Sequence, residues 1–341
     1  MNPILREDFD RIHHKLGAKL TPLRNKSILV TGANGMLAGY MVQFFSYLHS
    51  VHAFPLKVFG LVREIKNDFP GVRYLLGDVN SVPLHERFDF IVHAASLGSP
   101  IHYGTNPIGV SLPNVVGTTH LLKHAEAFPV ESFLFVSSSE VYGDFGTDKT
   151  AIEESEFGRL DPMNPRSCYA ESKRMGESLC VSWLKQKGVP TKVVRPFHTY
   201  GPGITRTDGR VYADFIYSIV DSKDIVLNSS GEARRAFCYQ SDALIGMLLV
   251  LLEGQNGEAY NLGNPHEEHS IREAAEIATS VFPERKMKVA VKQAPTSGGY
   301  LKSAVLRNCP SISKIGRLGW TPEVSLKSGL ERSVRYIEGN S

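Results

Sequence analysis

The chain has 341 residues, 42% of them apolar, with 38 basic and 35 acidic side chains. That length supplies a large core, enough for two domains or for one with a substantial cap. The near-balanced charge speaks against a nucleic-acid-binding surface or a membrane-surface patch, and the cysteines (Cys168, Cys180, Cys238, Cys309) lack the C-x-x-C spacing of a zinc site or disulfide framework, which fits a reducing cytoplasm.

The opening MNPILREDFDRIHHKLGAKL is too charged for a signal peptide. Within it Ile4, Leu5, Phe9, Ile12 and Leu16 recur at helical spacing and predict an amphipathic helix in an N-terminal extension, residues 1–24. Strands are then predicted at SILVTG (27–32), LKVFGLV (56–62), VRYLLGD (72–78), FDFIVHAA (88–95), SFLFVSS (132–138) and TKVVRPF (191–197), separated by helical patterns. Continuous apolar strands alternating with helices predict an α/β fold whose parallel sheet is covered on both faces. The longest apolar run, ALIGMLLVLL at 243–252, falls short of the ~20 residues of a membrane helix. After about residue 200 Gly, Pro and polar stretches predominate. The chain therefore divides into the extension, a dinucleotide-binding region at 25–200 with later returning segments, and a mainly substrate-binding region at 201–341.

The turn ILVTGANGMLAG passes from strand to helix with Gly32 and Gly35 three apart and the small Ala38 next in the series. A pyrophosphate needs such a backbone, which lets it approach the helix N-terminal amides. The second strand ends in Val62-Arg63, without the carboxylate that would bind an adenosine 2′-hydroxyl. Arg63 then meets a 2′-phosphate, lies beside adenine or faces solvent, and NAD against NADP stays open. Asp78, at the end of the third strand, is a candidate for the adenine amino group, and Ala94, Ala95 and Ser96 are small where a cofactor must pass.

Tyr169 and Lys173 in YAESK stand at i and i+4 on one helix face, where both can reach a nicotinamide ribose. A neighbouring ammonium is expected to lower the phenol from its usual pKa of ~10, making Tyr169 a base for a sugar hydroxyl whose carbon releases hydride.

TGANGMLAG, GDV, HAAS, NVVGT, SSSEVYG, YAESK, RPFHTYGPG, DGRV, RAFCYQSD and YNLGN follow in this order. Together they resemble the extended short-chain dehydrogenase/reductases that modify nucleotide sugars, over roughly residues 26–338, and most of all their UDP-glucuronate decarboxylase branch. The resemblance implies a Rossmann-type doubly wound parallel sheet with a smaller C-terminal α/β substrate-binding domain, NAD as cofactor, a UDP-sugar substrate, a 4-keto intermediate, and polysaccharide assembly as the setting. It adds Asn34, Met36, Leu37, Val79, Asn114 and Pro196 to the cofactor contacts. It makes Ser138 the hydroxyl that relays the proton from O4, and Ser139-Glu140 the pair that separates the reactions. Dehydratases resemble Asp-Glu there; Ser-Glu resembles the decarboxylases, in which oxidation at C4 creates a β-keto acid that loses CO2. Arg307, ahead of Pro310-Ser311-Ile312, is the candidate for the substrate carboxylate, although its spacing to the proline is one residue longer than in that branch. Arg235, Arg210, His198 and Tyr239 are expected on the substrate side, and a homodimer through two helix pairs. No metal, nucleic-acid or membrane partner is expected. Epimerisation, 4,6-dehydration and simple C4 oxidation remain rival reactions; a small hydroxy-ketone reductase and an inactive cofactor-binding scaffold are rivals of another kind.

Overall fold

The computed structural model describes residues 1–145, 151–292 and 305–339. Its strands, in chain order, are β1 (Lys26–Thr31), β2 (Leu56–Val62), β3 (Val72–Leu76), β4 (Phe90–His93), β5 (Ser132–Val136), β6 (Thr191–Pro196) and β7 (Thr199–Tyr200). There follow β8 (Ile225–Leu227), β9 (Arg234–Ala236), β10 (Cys238–Tyr239), β11 (Ala259–Leu262), β12 (Glu268–Ser270), β13 (Val289–Val291) and β14 (Arg307–Asn308). The helices are α1 (Pro3–Leu16), α2 (Met36–His52), α3 (Ile101–Thr105), α4 (Pro107–Leu112), α5 (Thr118–Ala127) and α6 (Cys168–Lys187). They continue with α7 (Val211–Val220), α8 (Gln240–Glu253), α9 (Ile271–Thr279), α10 (Ser313–Gly316) and α11 (Leu326–Glu338).

Seven strands form one sheet in the order β3-β2-β1-β4-β5-β6-β11, and every neighbouring pair is parallel. Alternate residues of each strand enter opposite cores. Ile28, Val30 and Val92 join α1, α2 and α8 on one face, whereas Leu29, Ile91 and Phe135 join α5 and α6 on the other. A strand buried on both faces must be apolar at every position, which is why its sequence shows no alternation. Between β1 and β4 the strand order reverses, opening a crevice at their carboxyl ends. The α8–β11 stretch, residues 240–262, lies past the boundary at 200 yet returns to complete this layer. Residues of α7, α9 and α11 enclose a second core with Tyr200, Phe237 and Tyr239.

For two of the strands that stop short of their predicted ends, local hydrogen bonds give the reason. β4 ends at His93 because the Thr31 hydroxyl takes the amides of Ala94 (3.2 Å) and Ala95 (3.1 Å) out of the ladder. β3 ends at Leu76, and Asp78 starts a tight turn by accepting the Asn80 amide at 2.8 Å.

The N-terminal helix forms as its pattern requires, with Leu5, Phe9, Ile12 and Leu16 buried. Its Asp8, 2% exposed, accepts hydrogen bonds from Tyr40 (2.9 Å), Tyr239 (2.8 Å) and Arg332 (3.0 Å), so α1 is tied to α2, β10 and α11 at one carboxylate. Burial pushes that carboxyl above its usual range, and the Arg332 guanidinium opposes the shift.

Candidate active site

At the carboxyl end of β1, Gly32 has φ +70°, and a Cβ there would lie 2.8 Å from the Ala95 Cα. Only glycine meets both conditions, because backbone cannot yield as a side-chain tip can. The Gly35 amide returns to the Gly32 carbonyl at 2.7 Å. Gly35 is also the N-cap of the 17-residue α2. It has no side chain to occupy the first-turn amides, so they and the helix dipole are available to a phosphate. Asn34 donates to the Glu64 carbonyl (2.7 Å), Met36 accepts Gln240 through its carbonyl (2.6 Å), and Leu37 packs on the core. Arg63 and Asp78 are exposed at the rim, Val79 is buried beneath it, and Pro196 closes β6. Ser96 Oγ and Asn114 Oδ1 are buried with no hydrogen-bond partner among the described residues. A glycine cradle, open helix amides and unmet buried polar atoms fit a dinucleotide.

The expected Ser138, Tyr169 and Lys173 converge where β5 and α6 meet. Ser138 caps the helical turn 139–142 by accepting the Glu140 amide at 3.2 Å, and its hydroxyl sits near enough to the Tyr169 phenol to favour the phenol's ionised form. Tyr103, which the sequence reading missed, stacks on the Tyr169 ring at 5.1 Å and 14° and donates to the Gly98 carbonyl.

The electrostatics correct the expectation drawn from the i, i+4 spacing. Burial raises the Tyr169 pKa above its ordinary value, while the Ser138 hydroxyl and the Arg210 charge pull it back. Lys173 Nζ is turned to the Val136 carbonyl at 2.7 Å and lies 5.8 Å from the Tyr169 ring centre. Its own pKa falls to about 7, chiefly through burial. The pair shares a helix face, but the cation acting on the phenol is Arg210, which no local spacing could reveal.

On the substrate side Ser139 is buried and accepts Asn308 Nδ2 at 3.1 Å, and Asn308 Oδ1 is buried with no partner among the described residues. Glu140 meets Arg166 at 3.4 Å, a contact foreshadowed only by the proximity of Arg166 to Tyr169 in NPRSCY. Arg307 does not join this group. It makes a two-pronged pair with Glu268 at 2.6 and 2.8 Å, since successive residues of β14 point to opposite sides and Asn308 takes the side facing Ser139. Arg210 is fixed two-pronged on Asp208 (2.5 and 2.6 Å). Arg235 donates to the Val305 (2.8 Å) and Leu306 (3.3 Å) carbonyls. His198 has a left-handed φ of 33°, and the charges of Arg210 and Arg235 add to burial in pushing its pKa well below the ordinary value. An uncharged imidazole between two guanidiniums cannot compete with them for an anion. Tyr239 leaves the predicted substrate set: it is fully buried, and its hydroxyl is taken by Asp8.

A seven-stranded doubly wound sheet with this glycine turn at the end of its first strand defines a short-chain dehydrogenase/reductase fold. Within that class the chain matches the model of the NAD dependent epimerase/dehydratase family over residues 28–263, and it belongs to that family. It is 33% identical to UDP-glucuronic acid decarboxylase 1 of Xenopus tropicalis, across 98% of this chain and 78% of that protein. With UDP-glucuronic acid decarboxylase 6 of Arabidopsis thaliana it shares 32% identity, across 91% of this chain and 90% of the relative. A crystal structure of dTDP-glucose 4,6-dehydratase from Streptomyces venezuelae, with NAD bound, is similar at a TM-score of 0.74 and 25% identity, covering 92% of this chain and 97% of that one. NAD is thus the family's cofactor, and nucleotide sugars are the family's substrates. Among the described residues no helix is long and apolar enough to cross a membrane.

Proposed function

We propose that this protein oxidises a UDP-hexuronic acid at C4 and decarboxylates the resulting β-keto acid. The observation that carries the reading is the convergence of Ser138 on the Tyr169 phenol, with Lys173 on the same helix face and the Ser139-Glu140 pair directly following Ser138. NAD, when bound at the glycine turn, would supply the hydride acceptor for the oxidation and the donor for the closing reduction. Tyr169 and Ser138 are the path by which the O4 proton leaves and comes back. Tyr169 must give up its own proton before it can take one from O4; burial opposes that ionisation, and the Ser138 hydroxyl and the Arg210 charge favour it. Lys173, near half-charged at neutral pH, binds the ribose side of the cofactor. Arg210 and Arg235 are the donors for the diphosphate. Ser139 offers no acid to a leaving hydroxide, which disfavours dehydration.

A second reading, 4-epimerisation with the C5 substituent retained, is favoured by one feature. A neutral carboxamide, Asn308, faces Ser139, while the neighbouring guanidinium is held by Glu268. Incubation of purified protein with a panel of nucleotide sugars, read by mass and by NMR of the product, separates the two. Loss of CO2 supports decarboxylation; unchanged mass with inverted C4 replaces it by epimerisation; no turnover of any nucleotide sugar removes both.

The protein is further proposed to pair with a second copy. Ile108, Leu112 and Val116 on α4 and the turn into α5, with Met175 and Val181 on neighbouring α6, expose apolar side chains on two packed helices.

A further inference from the structure

Glu177 lies on α6 four residues past Lys173, so the two side chains share a helix face. Its carboxylate, 14% exposed, accepts the Ser137 hydroxyl at 2.5 Å, Arg195 Nε at 2.9 Å and Arg195 Nη2 at 2.6 Å. Arg195 spends its remaining nitrogen on Tyr142 Oη (2.8 Å) and the Glu154 carbonyl (2.9 Å). Tyr142 donates to Asn261, whose amide nitrogen reaches the Ile152 and Ser311 carbonyls. The network thus anchors the segment just after Asn308 as well.

Ser137 is the residue between the two parts of β5's end that face the chemistry. Before it is Val136, whose carbonyl holds Lys173 Nζ; after it is Ser138, whose hydroxyl favours ionisation of the Tyr169 phenol. We propose that Glu177 is a positioning residue for the reaction assigned above: it grips Ser137 so that the Val136 carbonyl and Ser138 hydroxyl stay aligned, and it presents its negative charge to the Lys173 ammonium one helical turn away. This rests on the proposed function. The surroundings agree. Burial drives Lys173 towards its neutral form, and Glu177 is the foremost group opposing that. The other titratable groups around the ammonium are Tyr169 and Cys180 on α6, with thiol and phenol both pushed up by burial, and His93 from β4, which burial keeps neutral. Glu177 is therefore the one carboxylate among these neighbours. Arg195 is its counter-ion rather than a competitor for Lys173, because the guanidinium is fixed on the far side by Tyr142 and the Glu154 carbonyl.

The test is an NMR titration of protein carrying 13Cε-labelled lysine, with the Lys173 signal assigned by its loss in Lys173→Met. In the unmodified protein this signal should titrate near neutrality. In Glu177→Gln its midpoint should fall by about one pH unit, a tenfold weaker hold on the proton. Glu177→Asp keeps Arg195 balanced and guards against a fold lost to an unpaired guanidinium; it should shift the midpoint the same way by less. A Lys173 midpoint unmoved in folded Glu177→Gln, or in Glu177→Asp if the former does not fold, overturns the proposal. Because the signal needs no substrate, a shifted midpoint in a protein that turns over no nucleotide sugar would sink the proposed function and leave this pairing standing.

Discussion

Arg307 gives the sharpest separation between what its position in the sequence suggests and what its side chain does. Arg307→Ala removes a two-pronged, charge-assisted pair to Glu268, with the arginine side chain 30% and the glutamate 12% exposed. Hydrogen bonds to charged groups contribute about 1.5–3 kcal/mol, and exposed ion pairs about 0–1. The partly exposed arginine and the second cation on Glu268, Arg234 at 3.7 Å, place this pair between those ranges. The expected loss is about 1–2 kcal/mol of stability, read as a lower urea midpoint with unchanged slope. Turnover should change little: kcat/KM on the sugar nucleotide identified by mass should stay within about tenfold. An arginine that binds a substrate carboxylate would instead lose about 3 kcal/mol of transition-state stabilisation, or about a hundredfold in kcat/KM. A hundredfold loss with an unmoved urea midpoint would refute the placement of Arg307 outside the site. Asn308→Ala is the companion experiment and should reverse the pattern, with kcat/KM falling more than the fold weakens.

Tyr169→Phe should lower turnover about 10²–10⁴-fold while NAD binding by calorimetry is retained; turnover within tenfold of the unmodified protein would remove the phenol from the chemistry. Gly32→Ala must place a Cβ 2.8 Å from backbone at positive φ, so it should cost roughly 2–4 kcal/mol and weaken NAD binding; an unaltered Tm would contradict the turn geometry. Burial lowers the His93 pKa from 6.5 to about 3. The unfolded chain then binds the extra proton between those values, so the stability from a neutral His93 is complete above pH 6.5 and is lost as pH falls towards 3. His93→Gln should flatten the decline of the urea midpoint between pH 7 and 5, and parallel declines in both proteins would exclude this histidine as a cause. Charge placed at Ile108 and Leu112 should halve the mass seen by light scattering if that face joins two copies; an unchanged mass would point to another contact.

Much of the sheet was readable because a buried strand must be apolar and a phosphate-binding turn must be small. LKVFGLV became β2 without adjustment, and Gly32 sits where only glycine can. The errors came where tertiary contacts override local pattern. The apolar run through Ala94 and Ala95 leaves the sheet because Thr31 captures its amides. Tyr239 resembled a substrate residue by its motif, yet its hydroxyl is claimed by an acid 231 positions away. The i, i+4 rule placed Tyr169 and Lys173 on one face but could not foresee that Lys173 would turn to Val136, or that Arg210, from a loop beyond β7, would supply the charge. Tyr103, Asn308 and Glu177 gave no sequence signal, since each matters through a partner that only folding brings near.

The carboxylate knot at Asp8 carries a consequence for synthesis. Its guanidinium arrives 324 residues after the acid, so on the ribosome this carboxylate stays in water, and the leading helix waits to bury it until almost the whole polypeptide has emerged. A product cut short before Arg332 would lose more than a trailing helix. It would leave the first helix, and the two phenols leaning on it, without the stronger of the two cations, Arg332 and Arg11, that offset the burial of Asp8.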